Sequence, residues 1–173
     1  MRPRLIVVSG PPGSGKTTLA RRLAEGVHCP MLSRDEVREG LLFGQADLTA
    51  THDDAIAVRA NAAFFDAAER LVGHGVSVVI EAAFQHRLWA GPLARFEPQA
   101  DIRIVRCQID PGLALKRISD RLDHAAWRQG LHPDRAYLEA RSAPMPERAN
   151  YDAIHVDHPT LTVETTDGYR PDL

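Results

Sequence analysis

The stretch Leu5-Ile6-Val7-Val8-Ser9-Gly10-Pro11-Pro12-Gly13-Ser14-Gly15-Lys16-Thr17-Thr18 decides how the rest of this 173-residue chain is read. Residues 5–9 form a continuous apolar run, the pattern of a strand covered on both faces in a parallel sheet. Residues 10–17 match G-x-x-x-x-G-K-[ST] in full. Residues 16–25 then read as a helix, with Leu19, Leu23 and Val27 on one face and Gly26 as the expected stop. Strand, glycine-rich turn and amphipathic helix, in that order, are what a phosphate cradle requires. The glycines let the backbone turn tightly, so that successive N–H groups point inward at the positive end of a helix. Gly10, Pro11, Pro12, Gly13, Ser14, Gly15, Lys16, Thr17 and Thr18 are therefore expected to hold a nucleotide. Lys16 would reach the β- and γ-phosphates, and the Thr17 hydroxyl would coordinate Mg²⁺. ATP is the expected nucleotide, with GTP the alternative.

Downstream, apolar β-rich runs alternate with helical ones. Residues 31–33 read as a short second strand. Ser33-Arg34-Asp35-Glu36 has capping-box spacing and should open a helix to about Leu42. Residues 53–72 carry Ile56, Ala60, Ala63, Phe64, Ala67 and Leu71 along one helical stripe, ended by Gly73 and Gly75. Residues 76–80 and 102–107 are the third and fourth strands, with a helix expected over 86–96. Asp110-Pro111 is a cap followed by proline at the first helical position, starting a helix to about Leu122. Residues 161–165 are the expected fifth core strand, with 152–156 competing for that role. Strands joined by helices imply a doubly wound, three-layer α/β sandwich. Its ligands sit at the carboxyl ends of the strands.

The bulk numbers set bounds. The length suits one domain over 1–173, with apolar residues at 44% and charged residues at 25%, as in ordinary globular proteins. A net charge of −2 offers no argument for general nucleic-acid or membrane binding. Cys29 and Cys107 lie in apolar contexts and read as buried free thiols, which suits a reducing, cytoplasmic location. The first apolar run is too short for a signal-peptide core or a membrane span.

Other residues speak to what is done with the phosphate. Asp35 lies just past the second strand, where a carboxylate can take a proton from an attacking hydroxyl or hold a magnesium-bound water; compensation of a helix N-terminus is the competing role. Arg34 and Arg38 flank it and could clamp a substrate anion, although a solvated surface position is the commoner fate of such arginines. Glu81 ends the third apolar run, where it could hold a water on Mg²⁺ or orient the acceptor. Gln85, His86 and Arg87 follow at the same sheet edge; Gln85 and Arg87 could touch substrate, and His86 is expected on the surface. Lys116, Arg117 and Arg121 lead into an arginine-rich segment holding Arg128 and Arg135, and a helical lid is expected over about 123–150.

Taken together, 10–17, Ser33-Arg34-Asp35-Glu36-Val37-Arg38, Val78-Val79-Ile80-Glu81-Ala82-Ala83 and Lys116-Arg117-Ile118-Ser119-Asp120-Arg121 resemble a group of small P-loop kinases. That group includes chloramphenicol phosphotransferase, zeta toxins and the kinase domain of polynucleotide kinase, often described as AAA-type ATP-binding proteins. The resemblance implies a sheet ordered 2-3-1-4-5 and transfer of the γ-phosphate of ATP, with Mg²⁺, to a hydroxyl. It implies Asp35 as general base, Arg38 on the substrate side, Arg117 and Arg121 as lid arginines, and Thr165-Thr166 as the strand end near the adenine. The sequence departs from the group at Glu81, where aspartate is more usual.

The expected function is a phosphotransferase acting on a small-molecule hydroxyl, in a monomer or homodimer. The alternatives are a polynucleotide 5′-hydroxyl kinase and an ATPase or nucleotide switch. A kinase acting on nucleic-acid strands needs a basic, aromatic channel, which 6% aromatic content does not advertise. A switch is disfavoured by the lack of an Asn-Lys-x-Asp guanine signature and by the acid that follows strand two.

Overall fold

In a computed structural model, described for residues 2–44, 54–124, 135, 138–139 and 151–172, the apolar runs of the chain line up as one parallel sheet. The strands are β1 (Arg4–Ser9), β2 (Met31–Ser33), β3 (Val78–Ala82), β4 (Asp101–Gln108) and β5 (Thr160–Glu164). Their spatial order is β2-β3-β1-β4-β5, as the resemblance implies. The helices are α1 (Lys16–Gly26), α2 (Arg34–Phe43), α3 (Asp54–Gly73), α4 (His86–Ala94) and α5 (Pro111–His124). The expected lid over 123–150 lies almost wholly outside the described residues.

Alternation along each strand divides the core in two. On one face Leu5, Val7, Val78, Ile80, Ile102 and Ile104 pack against Phe64, Phe65, Trp89, Leu93 and Ile154. On the other, Val8, Val79, Val105, Cys107 and Val163 pack against Leu19, Ala20 and Ala24 of α1. The first face is fastened by edge-to-face contacts among Phe64, Phe65, Phe84 and Trp89, with ring centroids 5.1 to 6.3 Å apart. Burial pushes the Cys107 thiol up to about 12, so it is inert at neutral pH. Cys29 is a free thiol as well, only partly buried.

Several boundaries differ from the sequence reading for identifiable reasons. Helix α1 runs through Gly26, and the left-handed residue that turns the chain out of it is His28, at φ 54°. Val27 consequently leaves the apolar face and is 49% exposed. Strand β3 starts at Val78 because Val76 is still closing α3: its N–H donates to Leu71 O at 2.9 Å. Glu81 is therefore inside the strand, in register with Val8 and Ser33. Helix α4 stops at Ala94 and continues as turns. Ala63, expected on the buried stripe of α3, is exposed, and the stripe shifts to Phe64, Phe65 and Ala68. The fifth strand is the one read over 161–165, begun one residue earlier, but as an edge strand whose first three residues are exposed. Residues 152–156 are not a strand; they contribute Ile154 to the core. Among the described residues no helix is long and apolar enough to cross a membrane.

Candidate nucleotide and phosphate site

The loop between β1 and α1 owes its shape to two close approaches. Gly13 has φ +80°, and a Cβ there would lie 2.4 Å from Ala114 O on α5. A Cβ on Gly10 would meet Ser14 Oγ at 2.7 Å and Cys107 Cβ at 2.8 Å. No side-chain relaxation relieves a clash with backbone, so Gly13→Ala is expected to cost at least about 2 kcal/mol from the left-handed conformation and the contact together. Urea unfolding and a nucleotide titration check this: both stability and nucleotide binding should fall.

The residue at the N-cap of α1 is Gly15, which has no side chain to offer, and the first turn of the helix holds no acid. The first-turn amides of a helix have no intrahelical acceptor, so this end of α1 is positive and uncompensated. Helix α2 is the contrast, with Asp35 and Glu36 in its first turn. Ser14 is fully buried, and its Oγ has no hydrogen-bond partner among the described residues. An anion is the ligand such a cradle accepts.

Beneath the cradle, Lys16 is 8% exposed and its Nζ lies 3.8 Å from Glu81 Oε1. Glu81 faces the α1 side of the sheet, as does its strand neighbour Val79. Ser33 Oγ donates to Glu81 Oε2 at 3.0 Å, and the Thr17 hydroxyl is near enough to help stabilise the charged carboxylate. Burial raises the pKa of Glu81; Lys16 and the two hydroxyls oppose that rise, and the charge of Asp35 adds to it. The capping box expected at Ser33 is therefore not made. Its hydroxyl turns down to Glu81, and the Glu36 carboxylate pairs with Arg21 of α1 instead.

Asp35 is half-exposed at the start of α2, with its Oδ1 3.5 Å from Arg34 Nη1. Neither flanking arginine is solvated, contrary to the commoner expectation. Arg38 is 8% exposed, and the Arg34 side chain is tucked against α3 and the loop after β3. The periodicity of α2 gave no hint of this, because what covers these side chains comes from residues far along the chain.

On the far side of the loop, Arg117 Nη2 donates to Thr165 O at 2.9 Å and to Thr166 O at 3.1 Å. Its Nη1 would lie 3.8 Å from a Cβ on Gly15. The Thr165 hydroxyl is buried between Ser14 O, at 2.7 Å, and Gln108 O, at 3.0 Å. Arg117 and Thr165 thus tie the end of β5 to the loop. Arg121 is half-buried one turn further along α5, and Lys116 is engaged with Asp120 on the exposed side. Thr18, Gln85 and Arg87 are exposed. His86 is held by residues 152–155: its ring stacks on His155 at 3.4 Å, and its N–H donates to Asp152 O. Arg128 lies outside the described residues, and Arg135 is an exposed helical residue.

One cluster escaped the sequence reading. Trp89 Nε1 donates to Ser9 Oγ at 2.8 Å, Ser9 lies 2.8 Å from Tyr151 Oη, and Tyr151 donates to Phe84 O at 2.7 Å. Each hydroxyl proton has an acceptor if Ser9 donates to Tyr151. Burial pushes the Tyr151 hydroxyl up to about 12, so it stays a donor. The bridge joins the last residue of β1 to α4 and to Tyr151, with Ser9 and Tyr151 142 residues apart in sequence. Tyr151→Phe would leave the Ser9 proton and Phe84 O only their long 3.4 Å contact with each other, and should lower stability by about 0.5–1.5 kcal/mol in urea unfolding.

A five-stranded parallel sheet in this order, with an uncapped glycine-rich turn at the end of its central strand, defines a P-loop protein of the kinase group. The chain belongs to the AAA domain family AAA_33, whose model matches residues 5–141. Among solved structures, a presumed kinase from Chloroflexus aurantiacus is 27% identical, with a TM-score of 0.82 over 96% of this chain and 90% of that one. A sugar kinase from Janibacter sp. HTCC2649 (16% identical, TM-score 0.63, 95% of this chain and 86% of that one) shares the fold. So does an APS kinase from Mycobacterium tuberculosis, solved with AMPPNP and APS (20%, TM-score 0.58, 93% and 88%). An uncharacterized protein of Mycobacterium tuberculosis H37Rv is 35% identical over 102 residues, which are 53% of this chain and 19% of that protein. The same match is found in Mycobacterium bovis, so the region shared is about a fifth of these relatives' length.

Proposed function

We propose that this chain is an ATP- and Mg²⁺-dependent phosphotransferase that moves the γ-phosphate to a hydroxyl of a small-molecule acceptor, in the cytoplasm. The observation that carries the reading is the uncapped start of α1 directly over the Lys16–Glu81–Thr17 set, with Asp35 within electrostatic reach of Glu81. Phosphoryl transfer is almost entirely positioning and charge stabilisation, and this arrangement supplies both. The loop amides and Lys16 hold the polyphosphate. Arg117, fixed to the end of β5, restrains the nucleotide from the other side, and Arg121 is placed on the same helix to add positive charge toward the transferred group. Asp35 takes the proton of the acceptor hydroxyl as that oxygen attacks phosphorus.

The residues fit a magnesium ion. It is a hard cation usually held by one or two protein oxygens, waters and substrate phosphates, and the Thr17 hydroxyl and the Glu81 carboxylate are such donors, on the same side of the loop. When bound, the ion would neutralise charge on the phosphates, with Thr17 bonded directly and Glu81 through water. The longer glutamate is accommodated because Ser33 holds its second oxygen from the neighbouring strand. Glu81→Gln should raise the Mg²⁺ concentration needed for half-maximal turnover by about 10–100-fold. A Mg²⁺ titration of turnover at saturating ATP reads this.

The deciding test is transfer of label from γ-labelled ATP across hydroxyl-bearing metabolites, antibiotics and 5′-hydroxyl oligonucleotides. Label in a small molecule supports the proposal. Label confined to oligonucleotide termini would make the chain a polynucleotide kinase, and label only in free phosphate would make it an ATPase or switch.

A further inference from the structure

Two neighbouring strand exits are braced against each other by a hydroxyl from far along the chain. Ser9 and Ala82 are the last paired residues of β1 and β3. Beyond them β1 opens into the phosphate loop at Gly10, and β3 runs through Phe84 to Gln85, at the cap of α4. The ladder that fixes one strand against the other ends with that pair, and side chains take over. Tyr151 Oη lies 2.8 Å from Ser9 Oγ and donates to Phe84 O at 2.7 Å. The direct contact between Ser9 Oγ and Phe84 O is 3.4 Å, beyond the range of a good hydroxyl bond.

The brace is held at both ends. Trp89 is fully buried; its Nε1 donates to Ser9 Oγ at 2.8 Å, and its ring meets that of Phe84 edge to face, with centroids 5.1 Å apart. Tyr151 is anchored by the residues that follow it. Ile154 is buried in the core, Asp152 O accepts from His86 N at 2.8 Å, and His155 N donates to His86 Nδ1 at 3.3 Å. Glu81 lies just before one exit and Gly10 just after the other, so the brace spans the gap between the buried carboxylate and the phosphate cradle.

We propose that Tyr151 is a positioning residue of the transfer reaction: its hydroxyl fixes the phosphate loop, through Ser9, against the loop after β3, through Phe84 O, and so sets where the γ-phosphate stands relative to Glu81 and the acceptor. The inference rests on the phosphotransferase reading and adds to it a group that acts only through others. Phosphoryl transfer depends on alignment, and a misplacement of about 1 Å caused far from the chemistry can cost about a hundredfold in rate. The grip on the polyphosphate is local to residues 10–17 and does not need that alignment.

The test has two arms. In the first, Tyr151→Phe should lower kcat for label transfer by about 10–100-fold, while affinity for AMPPNP stays within about twofold of wild type. Ser9→Ala should behave alike, and the double variant should be no slower than the slower single one, because both remove the same brace. Val72→Ala, an apolar truncation of the same core layer in the last turn of α3, controls for lost stability and should keep its kcat per folded molecule. An unchanged kcat in Tyr151→Phe, a loss matched by Val72→Ala or by AMPPNP affinity, or losses that multiply in the double variant would overturn the proposal and leave the phosphotransferase standing.

The second arm does not need turnover. Amide hydrogen exchange is followed by nuclear magnetic resonance in protein saturated with Mg²⁺ and AMPPNP. Tyr151→Phe should speed exchange about three- to tenfold at Gly10, Gly13 and Ser14 and at Ala83 and Gln85 together, the size expected when one hydrogen bond is lost, with no matching rise in Val72→Ala. That result supports the placement of the loop by Tyr151 even if label goes only to free phosphate and the transferase reading fails. Unchanged exchange at either exit, or the same rise in Val72→Ala, overturns it.

Discussion

Lys16→Ala is expected to leave a folded protein whose turnover of ATP is lost, with a fall of at least about a thousandfold, the size associated with removing a preorganised charge from a phosphoryl or oxyanion site. The lysine is 8% exposed at the base of the loop, and its ammonium faces one carboxylate, Glu81. Without it the polyphosphate loses its fixed cation, while the loop amides remain. Glu81 also loses the group that most opposes the effect of burial on its pKa, so it shifts further toward the protonated form. A protonated glutamate is a poor partner for a magnesium-bound water, so the variant is impaired twice. Calorimetric titration with AMPPNP and a γ-label assay check both consequences. Near-normal nucleotide affinity with normal turnover would remove the cradle from the mechanism.

Asp35→Asn separates chemistry from binding. The side chain is half-exposed in the first turn of α2, off the loop that holds the phosphates. Nucleotide affinity should stay within about twofold of wild type, while kcat for transfer falls by about 10²–10⁴, the contribution of a positioned general base. Asparagine keeps the volume and the contact with Arg34 but cannot take the proton. It also removes a like charge from the neighbourhood of Glu81, whose raised pKa should relax downward. Nucleotide affinity falling as badly in this variant as in Lys16→Ala would make Asp35 part of the nucleotide site and refute its role as base.

Much of this architecture could be read from the chain because its causes are local. The buried run before Gly10, the glycine spacing and the amphipathic helix after Lys16 each depend on residues within a few positions of one another. The N-cap of α5 is another such case: Asp110 Oδ1 accepts from Leu113 N at 2.9 Å, as the Asp-Pro pair implies. Where local rules competed with a distant partner they lost. Ser33 and Glu36 have the spacing of a capping box, yet Ser33 bonds Glu81, 48 residues on, because a buried carboxylate needs that proton more than an exposed helix end does.

The sequence by itself determined the nucleotide cradle, since eight consecutive residues carry both the backbone freedom and the charge that a polyphosphate needs. Only the tertiary structure decided the environment of Arg34 and of Ser9. Arg34 meets Asn61 27 residues away, and Ser9 meets Tyr151 across 142. Whether a guanidinium is solvated or held dry depends on which distant side chains surround it. That covering is settled by packing across the sheet, which no spacing within a single helix records.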